Sequence, residues 1–178
     1  MNVLYLDFDD VLHGDGLINP LRPETRGQIL VESVPILVRL LEPYPDLKLV
    51  LSTSWVRQLA LTRARKALPP SLRKQVIGAI YHGRHMREED TRYEQVIADV
   101  ARRRPRKWLV IDDDLDGWPE HALINVVPTP LLGYGDAAAA LELKQRLEKI
   151  FGNVEKFLIH PDLARNAKID WPDVDLDK

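Results

Sequence analysis

The stretch NVLYLDFDDVL, residues 2–12, decides how the rest of the chain is interpreted. A short apolar run is followed by Asp7 and, two residues later, by Asp9. Because side chains alternate between the two faces of a β-strand, this spacing predicts that both aspartates leave the strand pointing the same way. Two such carboxylates can divide a reaction, since one can attack while the other transfers the proton. The structural alternative is an acidic turn that merely follows a buried strand.

Composition limits the classes of protein that this chain can belong to. Its 178 residues suit one domain with a single core, and the net charge is −2. The absence of cysteine excludes disulfides, thiol nucleophiles and cysteine zinc sites. No apolar run approaches the roughly 18 residues of a membrane span, and Asp7 interrupts the first apolar run too early for a signal peptide. We therefore expect a cytoplasmic protein without a membrane partner.

The remaining chain alternates predicted strands with predicted helices. Further strands are predicted at residues 48–51, 76–81, 108–111 and 122–127, and helices between Ser33 and Pro43, over about 55–67, from Arg92 to about Arg103, and from Asp136 to Gly152. This alternation predicts an α/β fold with a Rossmann-like, doubly wound, mostly parallel five-stranded sheet. We expect residues 1–152 to form the catalytic domain and residues 153–178 a C-terminal extension that is docked or mobile.

Three of the five predicted strands end in polar clusters. These clusters are Asp7 with Asp9, residues 52–54, and Asp112 with Asp113. Doubly wound sheets bind their ligands beyond the carboxyl ends of the strands, and all three clusters would meet at that edge. An acidic turn alone does not explain this convergence, which predicts a functional site.

The residue types at this edge constrain the chemistry. Carboxylates from two strands, without histidine or cysteine, suit a hard cation such as magnesium. A hydroxyl and a cationic side chain would complete a cradle for phosphate oxygens. Asp7 could then attack phosphorus and form an aspartyl phosphate, while Asp9 handles the proton. The metal would neutralise the charge that opposes attack by one anion on another.

These residues resemble the four motifs of the haloacid dehalogenase (HAD) superfamily. The resemblance spans roughly residues 2 to 132, and LSTSW at 51–55 together with Thr91-Arg92 is similar to HAD domains associated with RNA-repair proteins. It implies a magnesium-dependent phosphatase with Asp7 as nucleophile and Asp9 as acid/base. It also implies that Asp7, the backbone carbonyl of Asp9 and Asp112 bind the metal, with Asp113 beside them.

The phosphate-binding hydroxyl of the second motif has two candidates, Ser52 and Thr53. Counting along the strand from Lys48 favours Thr53, with Ser54 beside it as a substrate contact. Ser52 would then face the packing layer. A hydroxyl at a strand end that only caps the next helix is the structural alternative.

The cation of the third motif also has two candidates, Arg92 and Lys107. Lys107 precedes Asp112 by five residues on one strand, which places it roughly 16 Å away at the wrong edge of the sheet. Arg92 begins a helix at the active edge, and its planar fork suits a phosphate or a carboxylate. We favour Arg92, although the superfamily usually has lysine here.

Basic residues are concentrated in the middle of the chain. Residues 55–107 carry 14 basic and 5 acidic side chains, which invites a nucleic-acid partner. Arg57 belongs to a helix that begins at the active edge, and His13 follows the first motif, so both are candidate substrate contacts. The run at 102–107 falls at the opposite edge and is interpreted as a solvated face.

The connections between the motifs leave little or no room for a cap domain. Residues 13–47 are predicted to form a turn, an irregular stretch and one helix. Residues 55–91 are predicted to form a helix, a strand and a loop. An open site suits a large phosphorylated substrate such as a nucleic-acid end, or a nucleotide with a partner acting as lid. The competing hypothesis is a catalytically weak binding module that keeps the fold. The physiological substrate and the oligomeric state stay open.

Overall fold

The computed structural model describes residues 1–12, 33–81, 90–128 and 137–152. The strands are β1 (Asn2–Leu6), β2 (Lys48–Leu51), β3 (Val76–Ala79), β4 (Lys107–Asp112) and β5 (Val126–Pro128). The helices are α1 (Val34–Leu41), α2 (Trp55–Lys66), α3 (Pro70–Arg73), α4 (Arg92–Arg103) and α5 (Ala137–Phe151), with a 3₁₀ helix at Glu120–Asn125.

The strands of the described residues form one parallel sheet with the order β3-β2-β1-β4-β5. β1 lies at its centre, where Leu6 pairs with Leu51 of β2 on one side and with Ile111 of β4 on the other. Residues 3–6 are fully buried, as expected for a strand covered on both faces. The predicted doubly wound, parallel five-stranded sheet is confirmed.

Two apolar layers cover the two faces of the sheet. Leu4 and Leu6 of β1 point into the larger layer, which contains buried side chains of α1, α2 and α5. Val3 and Tyr5 point into the smaller layer, where Val96 of α4 packs. Burial of these alternating side chains fixes the register of β1 and hence the direction in which Asp7 leaves it.

Helix α4 is capped at its start and tied to the sheet further along. At its start, the Thr91 hydroxyl accepts a hydrogen bond from the Glu94 N–H, and the Glu94 carboxylate accepts one from the Thr91 N–H. This capping box satisfies two backbone donors that the first turn leaves open. Further along, buried Asp99 accepts a hydrogen bond from Tyr5 of β1 and pairs with Arg102 and Arg103. The Tyr5 bond therefore joins α4 to the central strand.

Several boundaries differ from the sequence prediction. The strand predicted over 122–127 begins too early, because a 3₁₀ helix occupies Glu120–Asn125 and β5 forms only at Val126–Pro128. β3 ends at Ala79 rather than at Tyr81. The helix predicted from Arg92 to Arg103 has those bounds.

Some predicted features lie outside the described residues. These are Asp136 as a helix cap and the extension at 153–178, and the proposed domain boundary stays a prediction. Residues 13–32 and 82–89 also lie outside, so the absence of a large cap stays a prediction as well. Among the described residues, no helix combines the length and apolar character that crossing a membrane requires.

Candidate active site

Two buried carboxylates lie at the carboxyl ends of the central strands. Asp7 follows β1, and its backbone N–H donates to the carbonyl of Ile111 in β4 at 3.1 Å. Asp112 ends β4 and is fully buried, while Asp7 is 3% exposed. Carboxylate oxygens of Asp7, Asp112 and the exposed Asp113 all lie within 4.8 Å of one another. The sheet thus brings three of the predicted metal-binding residues together.

Arg92 places a cation against both buried aspartates. Its Nη2 atom lies 3.6 Å from Asp7 Oδ2 and its Nε atom lies 3.0 Å from Asp112 Oδ2. Its Nη1 group donates hydrogen bonds to the carbonyl of Ser52 and to the Tyr81 hydroxyl. Lys107, the other candidate for this role, is exposed at the start of β4, where it pairs with Asn2 of β1. Arg92 is therefore the cation that the fold brings to the carboxyl edge.

Burial and charge act in opposite directions on these groups. Burial raises the pKa of Asp7 and of Asp112, and the positive charge of Arg92 opposes both shifts. Burial alone would lower the pKa of Arg92, but the carboxylates of Asp112 and Asp7 outweigh it and raise that pKa above its ordinary value. Because one guanidinium faces two buried carboxylates, the site favours additional positive charge.

The buried oxygens of this cluster fit a hard cation. Asp7 Oδ1 accepts no hydrogen bond from any described residue, and Asp112 Oδ2 accepts none either but forms an ion pair with Arg92 Nε. Buried carboxylate oxygens normally have partners, and oxygen ligands at this spacing are those that magnesium prefers. Asp7, Asp112 and Asp113 would hold such an ion.

The carboxylate of Asp9 is directed at the first residues of α2 instead. Its Oδ2 accepts a hydrogen bond from the Ser54 hydroxyl, and its Oδ1 accepts one from the Trp55 indole N–H, each at 2.8 Å. The sequence prediction gave Trp55 no role of its own and missed this bond. The available signal was chemical, since a buried indole N–H usually finds an acceptor and Asp9 lies at the same edge.

The two candidate hydroxyls of the second motif are both buried. Thr53 Oγ1 accepts a hydrogen bond from the Trp55 backbone N–H at 3.2 Å. The Ser52 hydroxyl has no hydrogen-bond partner among the described residues. The preference for Thr53 over Ser52 stays a prediction.

A tyrosine that the sequence prediction did not single out connects Arg92 to the surface. The Tyr81 hydroxyl donates to the carbonyl of Ser52 at 3.2 Å and accepts from Arg92 at 3.0 Å. The exposed guanidinium of Arg57 lies 5.8 Å from the centre of the Tyr81 ring. Arg57 is thus near the carboxyl edge as expected, whereas His13 lies outside the described residues.

A protein-family model described as the HAD domain in Swiss Army Knife RNA repair proteins matches residues 3–133. The chain belongs to this family. The resemblance stated above is confirmed, and membership indicates a hydrolase of the phosphatase type. HAD domains generally use magnesium, and the acidic cluster is one that could bind it. No curated protein and no solved structure gave a significant match to the chain.

The geometry of this HAD domain separates its carboxylates into two environments. Asp7 and Asp112 face each other with a shared arginine and unsatisfied oxygens. The Asp9 carboxylate accepts hydrogen bonds from Ser54 and Trp55, and it is not one of the three carboxylates whose oxygens lie within 4.8 Å of one another. Two carboxylates in unlike surroundings can serve a reaction in different roles.

Proposed function

We propose that this HAD domain is a magnesium-dependent phosphohydrolase that acts through an aspartyl phosphate on Asp7. The observation that supports this most directly is the convergence of Asp7, Asp112 and Asp113, whose carboxylate oxygens lie within 4.8 Å of one another. Two buried oxygens of this cluster lack a hydrogen-bond partner among the described residues. A bound magnesium ion, with the Asp9 backbone carbonyl as a further ligand, would neutralise negative charge on the phosphate.

In the first half of the reaction, Asp7 acts as nucleophile. A carboxylate oxygen of Asp7 forms a bond to phosphorus while the bond between phosphorus and the leaving oxygen breaks. The leaving oxygen keeps the electron pair and takes a proton from the carboxyl group of Asp9. Asp9 is left as a carboxylate, which the Ser54 hydroxyl and the Trp55 N–H are placed to stabilise.

In the second half, Asp9 acts as base. Water gives a proton to the Asp9 carboxylate while the water oxygen bonds to phosphorus. The bond between phosphorus and Asp7 breaks, inorganic phosphate leaves, and both aspartates return to their starting forms. The same residue is acid and then base, so no further titrating group is required.

Arg92 and the second-motif hydroxyls hold the phosphate oxygens in this proposal. Arg92 already lies between Asp7 and Asp112, so a phosphate attacked by Asp7 comes within reach of its guanidinium. A planar guanidinium suits two phosphate oxygens at once. Thr53 and Ser54 supply hydroxyls from the end of β2, and Asp112 keeps Arg92 oriented. Arg57 is the candidate contact for the remainder of the substrate.

The substrate class that we propose is a phosphorylated nucleic-acid end or a nucleotide. The matching family is described by its occurrence in RNA repair proteins. Independently, residues 55–107 are strongly basic, and Arg57 of this segment is exposed near the site. A cationic surface beside a phosphate site suits a polyanion.

The test is a phosphatase assay with and without magnesium. Substrates are oligonucleotides carrying a 3′- or a 5′-phosphate, nucleoside monophosphates and an aryl phosphate. We expect magnesium-dependent phosphate release, a radiolabelled phosphoenzyme after acid quenching, and neither result in Asp7→Asn. Turnover that persists in Asp7→Asn would contradict the mechanism. Oligonucleotide binding without any turnover would favour the catalytically weak binding module instead.

A further inference from the structure

The carboxylate of Asp9 is held by two side chains that differ in what they can do. The Trp55 indole N–H binds Oδ1 and the Ser54 hydroxyl binds Oδ2, both at 2.8 Å. An indole N–H is only a donor, whereas a hydroxyl both donates and accepts. The two oxygens of Asp9 are therefore not equivalent.

This difference lets Asp9 change its protonation state without changing its orientation. When Asp9 is ionised, both partners donate to it. When Asp9 carries a proton on Oδ2, the Ser54 hydroxyl can rotate and accept that proton's hydrogen bond, while Trp55 still donates to Oδ1. In either form the hydrogen bond from Trp55 holds Oδ1 in place.

Packing makes Trp55 a rigid partner. Its side chain is 1% exposed, and its ring meets Phe8 edge to face at 5.5 Å between centres. Phe8 is fully buried and lies between Asp7 and Asp9 in sequence. The ring that donates to Asp9 is thus packed on the residue that joins the two aspartates, so it has little freedom to turn.

We propose that Trp55 is a positioning residue for the acid/base step, acting with Ser54 to orient the carboxylate of Asp9. This inference rests on the proposed phosphatase function. It goes beyond that function because it assigns to Trp55 a role other than packing.

The decisive variant is Trp55→Phe, which keeps an aromatic ring against Phe8 and removes only the N–H and the larger ring. The matched control is Trp118→Phe. Trp118 is also buried, and its indole N–H donates to no described residue.

Leaving-group release in the first turnover is measured with an alkyl phosphate and with an aryl phosphate that has a good leaving group, because the second half of the reaction needs Asp9 for both substrates. Only the alkyl leaving group needs a proton from Asp9 in the first half. We expect Trp55→Phe to lower the first-turnover rate for the alkyl phosphate by about ten- to a hundredfold, the loss typical of a misplaced catalytic group. The first-turnover rate for the aryl phosphate should change little. An equal loss of this rate on both substrates, or the same selective loss in Trp118→Phe, would overturn the positioning role.

A second measurement does not depend on turnover. The indole N–H signal of Trp55 is identified in a nitrogen–proton NMR spectrum as the one that disappears in Trp55→Phe. In Asp9→Ala this signal should move strongly upfield, since it loses a charged acceptor, while the indole signal of Trp118 stays in place. If the Trp55 signal does not respond to Asp9→Ala, the hydrogen bond from Trp55 to Asp9 does not exist in solution.

The two measurements separate the two proposals. If wild-type protein releases no phosphate with magnesium but the Trp55 signal responds to Asp9→Ala, the proposed function fails while the hydrogen bond from Trp55 to Asp9 is confirmed. If phosphate is released but Trp55→Phe shows no preference between leaving groups, the function stands and the positioning role of Trp55 is refuted. Where Trp55→Phe does not fold, the Trp55 signal is assigned by elimination with Trp108→Phe, Trp118→Phe and Trp171→Phe, and its response to Asp9→Ala decides the outcome.

Discussion

At the scale of single residues, Asp112 should determine how the protein responds to magnesium. Asp112 is fully buried and has an oxygen without a hydrogen-bond partner among the described residues. A ligand that binds only the folded state stabilises it by an amount that grows with the logarithm of its concentration relative to its Kd. We expect magnesium to raise the melting temperature of the wild type and to have little effect on Asp112→Asn. Asp116→Asn, an equal change of charge at an exposed position in the following loop, should respond as the wild type does.

Arg92 should be costly to remove from the metal-free protein, and the cost should depend on pH. Its side chain is 12% exposed and lies against the carboxylates of Asp7 and Asp112. Removing one partner of a buried ion pair typically costs about 3 to 5 kcal/mol when the remaining charge is left uncompensated. We expect the loss for Arg92→Ala by denaturant unfolding to be smaller than this at pH 6, where the raised pKa of each carboxyl lets it stay protonated, and to grow toward pH 9, where magnesium should partly restore it. Lys144→Ala, at a more exposed ion pair, should cost about 0.5 kcal/mol or less.

The same two carboxylates should make the stability of the metal-free protein fall as pH rises. Burial raises the pKa of Asp7 from 3.8 to about 6 and that of Asp112 from 3.8 to about 8. The folded state therefore binds more protons than the unfolded state between pH 4 and these values, so the free energy of unfolding decreases through that range. Denaturant unfolding from pH 5 to pH 8 measures this slope. Asp112→Asn should flatten it, and a slope equal to that of the wild type would mean that other groups cause it.

The sequence predicted which residues meet at the site better than it predicted what each one touches. Parallel strands end at one edge, so Asp7 and Asp112 could be placed there from strand spacing alone. The contacts of Arg92 and the donors to Asp9 depend on side-chain directions at the starts of two helices. Those directions are set by tertiary packing, which periodicity does not report. The contact between Tyr81 and Arg92 was missed for the same reason, since Tyr81 lies just beyond β3 and strand periodicity does not give the direction of its side chain.

At the scale of elements, the start of α4 should be stabilised by its capping box. The Thr91 hydroxyl accepts a hydrogen bond from Glu94 N–H, directly beside Arg92. Loss of such a cap typically costs about 1 kcal/mol. We expect Thr91→Ala to lose about that much by denaturant unfolding, whereas Thr91→Ser should retain most of it. Ser33→Ala is the control, since Ser33 precedes α1 without making a side-chain cap bond. An equal loss at Ser33 would mean that the Thr91 cap adds nothing.

The element with the clearest sequence signals, α4, was predicted with the correct bounds, whereas the short apolar segment before β5 was assigned to the wrong type of secondary structure. Helix α4 has a cap, a periodic apolar stripe and a C-terminal basic turn, and its bounds match the prediction. The segment 120–125 is apolar enough for a strand, but Pro119 precedes it and Leu123 and Ile124 are exposed. A short apolar run does not distinguish a strand from a helical turn. Here the Asn125 side chain also donates to the carbonyl of Trp108, which ties the turn to β4.

At the scale of the whole molecule, the basic residues are divided between the two edges of the sheet. Arg57 and Arg63 belong to α2, which begins at the carboxyl edge beside the site. Arg106 and Lys107 precede the body of β4 at the opposite edge, where the Arg106 backbone N–H donates to Met1. All four side chains are exposed. Arg102 and Arg103 are not comparable, because both pair with buried Asp99.

This division predicts where a nucleic-acid substrate would leave the site. Removing one side chain that binds a phosphate should reduce the slope of log affinity against log salt by about 0.7 for a single strand. We therefore expect the double variant of Arg57 and Arg63 to alanine to weaken oligonucleotide binding and to flatten its salt dependence. The double variant of Arg106 and Lys107 is the matched control and should change neither. A larger effect at Arg106 and Lys107 would place the bound strand on the other edge of the sheet. If neither pair matters while a small phosphate ester is turned over well, the substrate is a small molecule and the basic segment is a solvated surface.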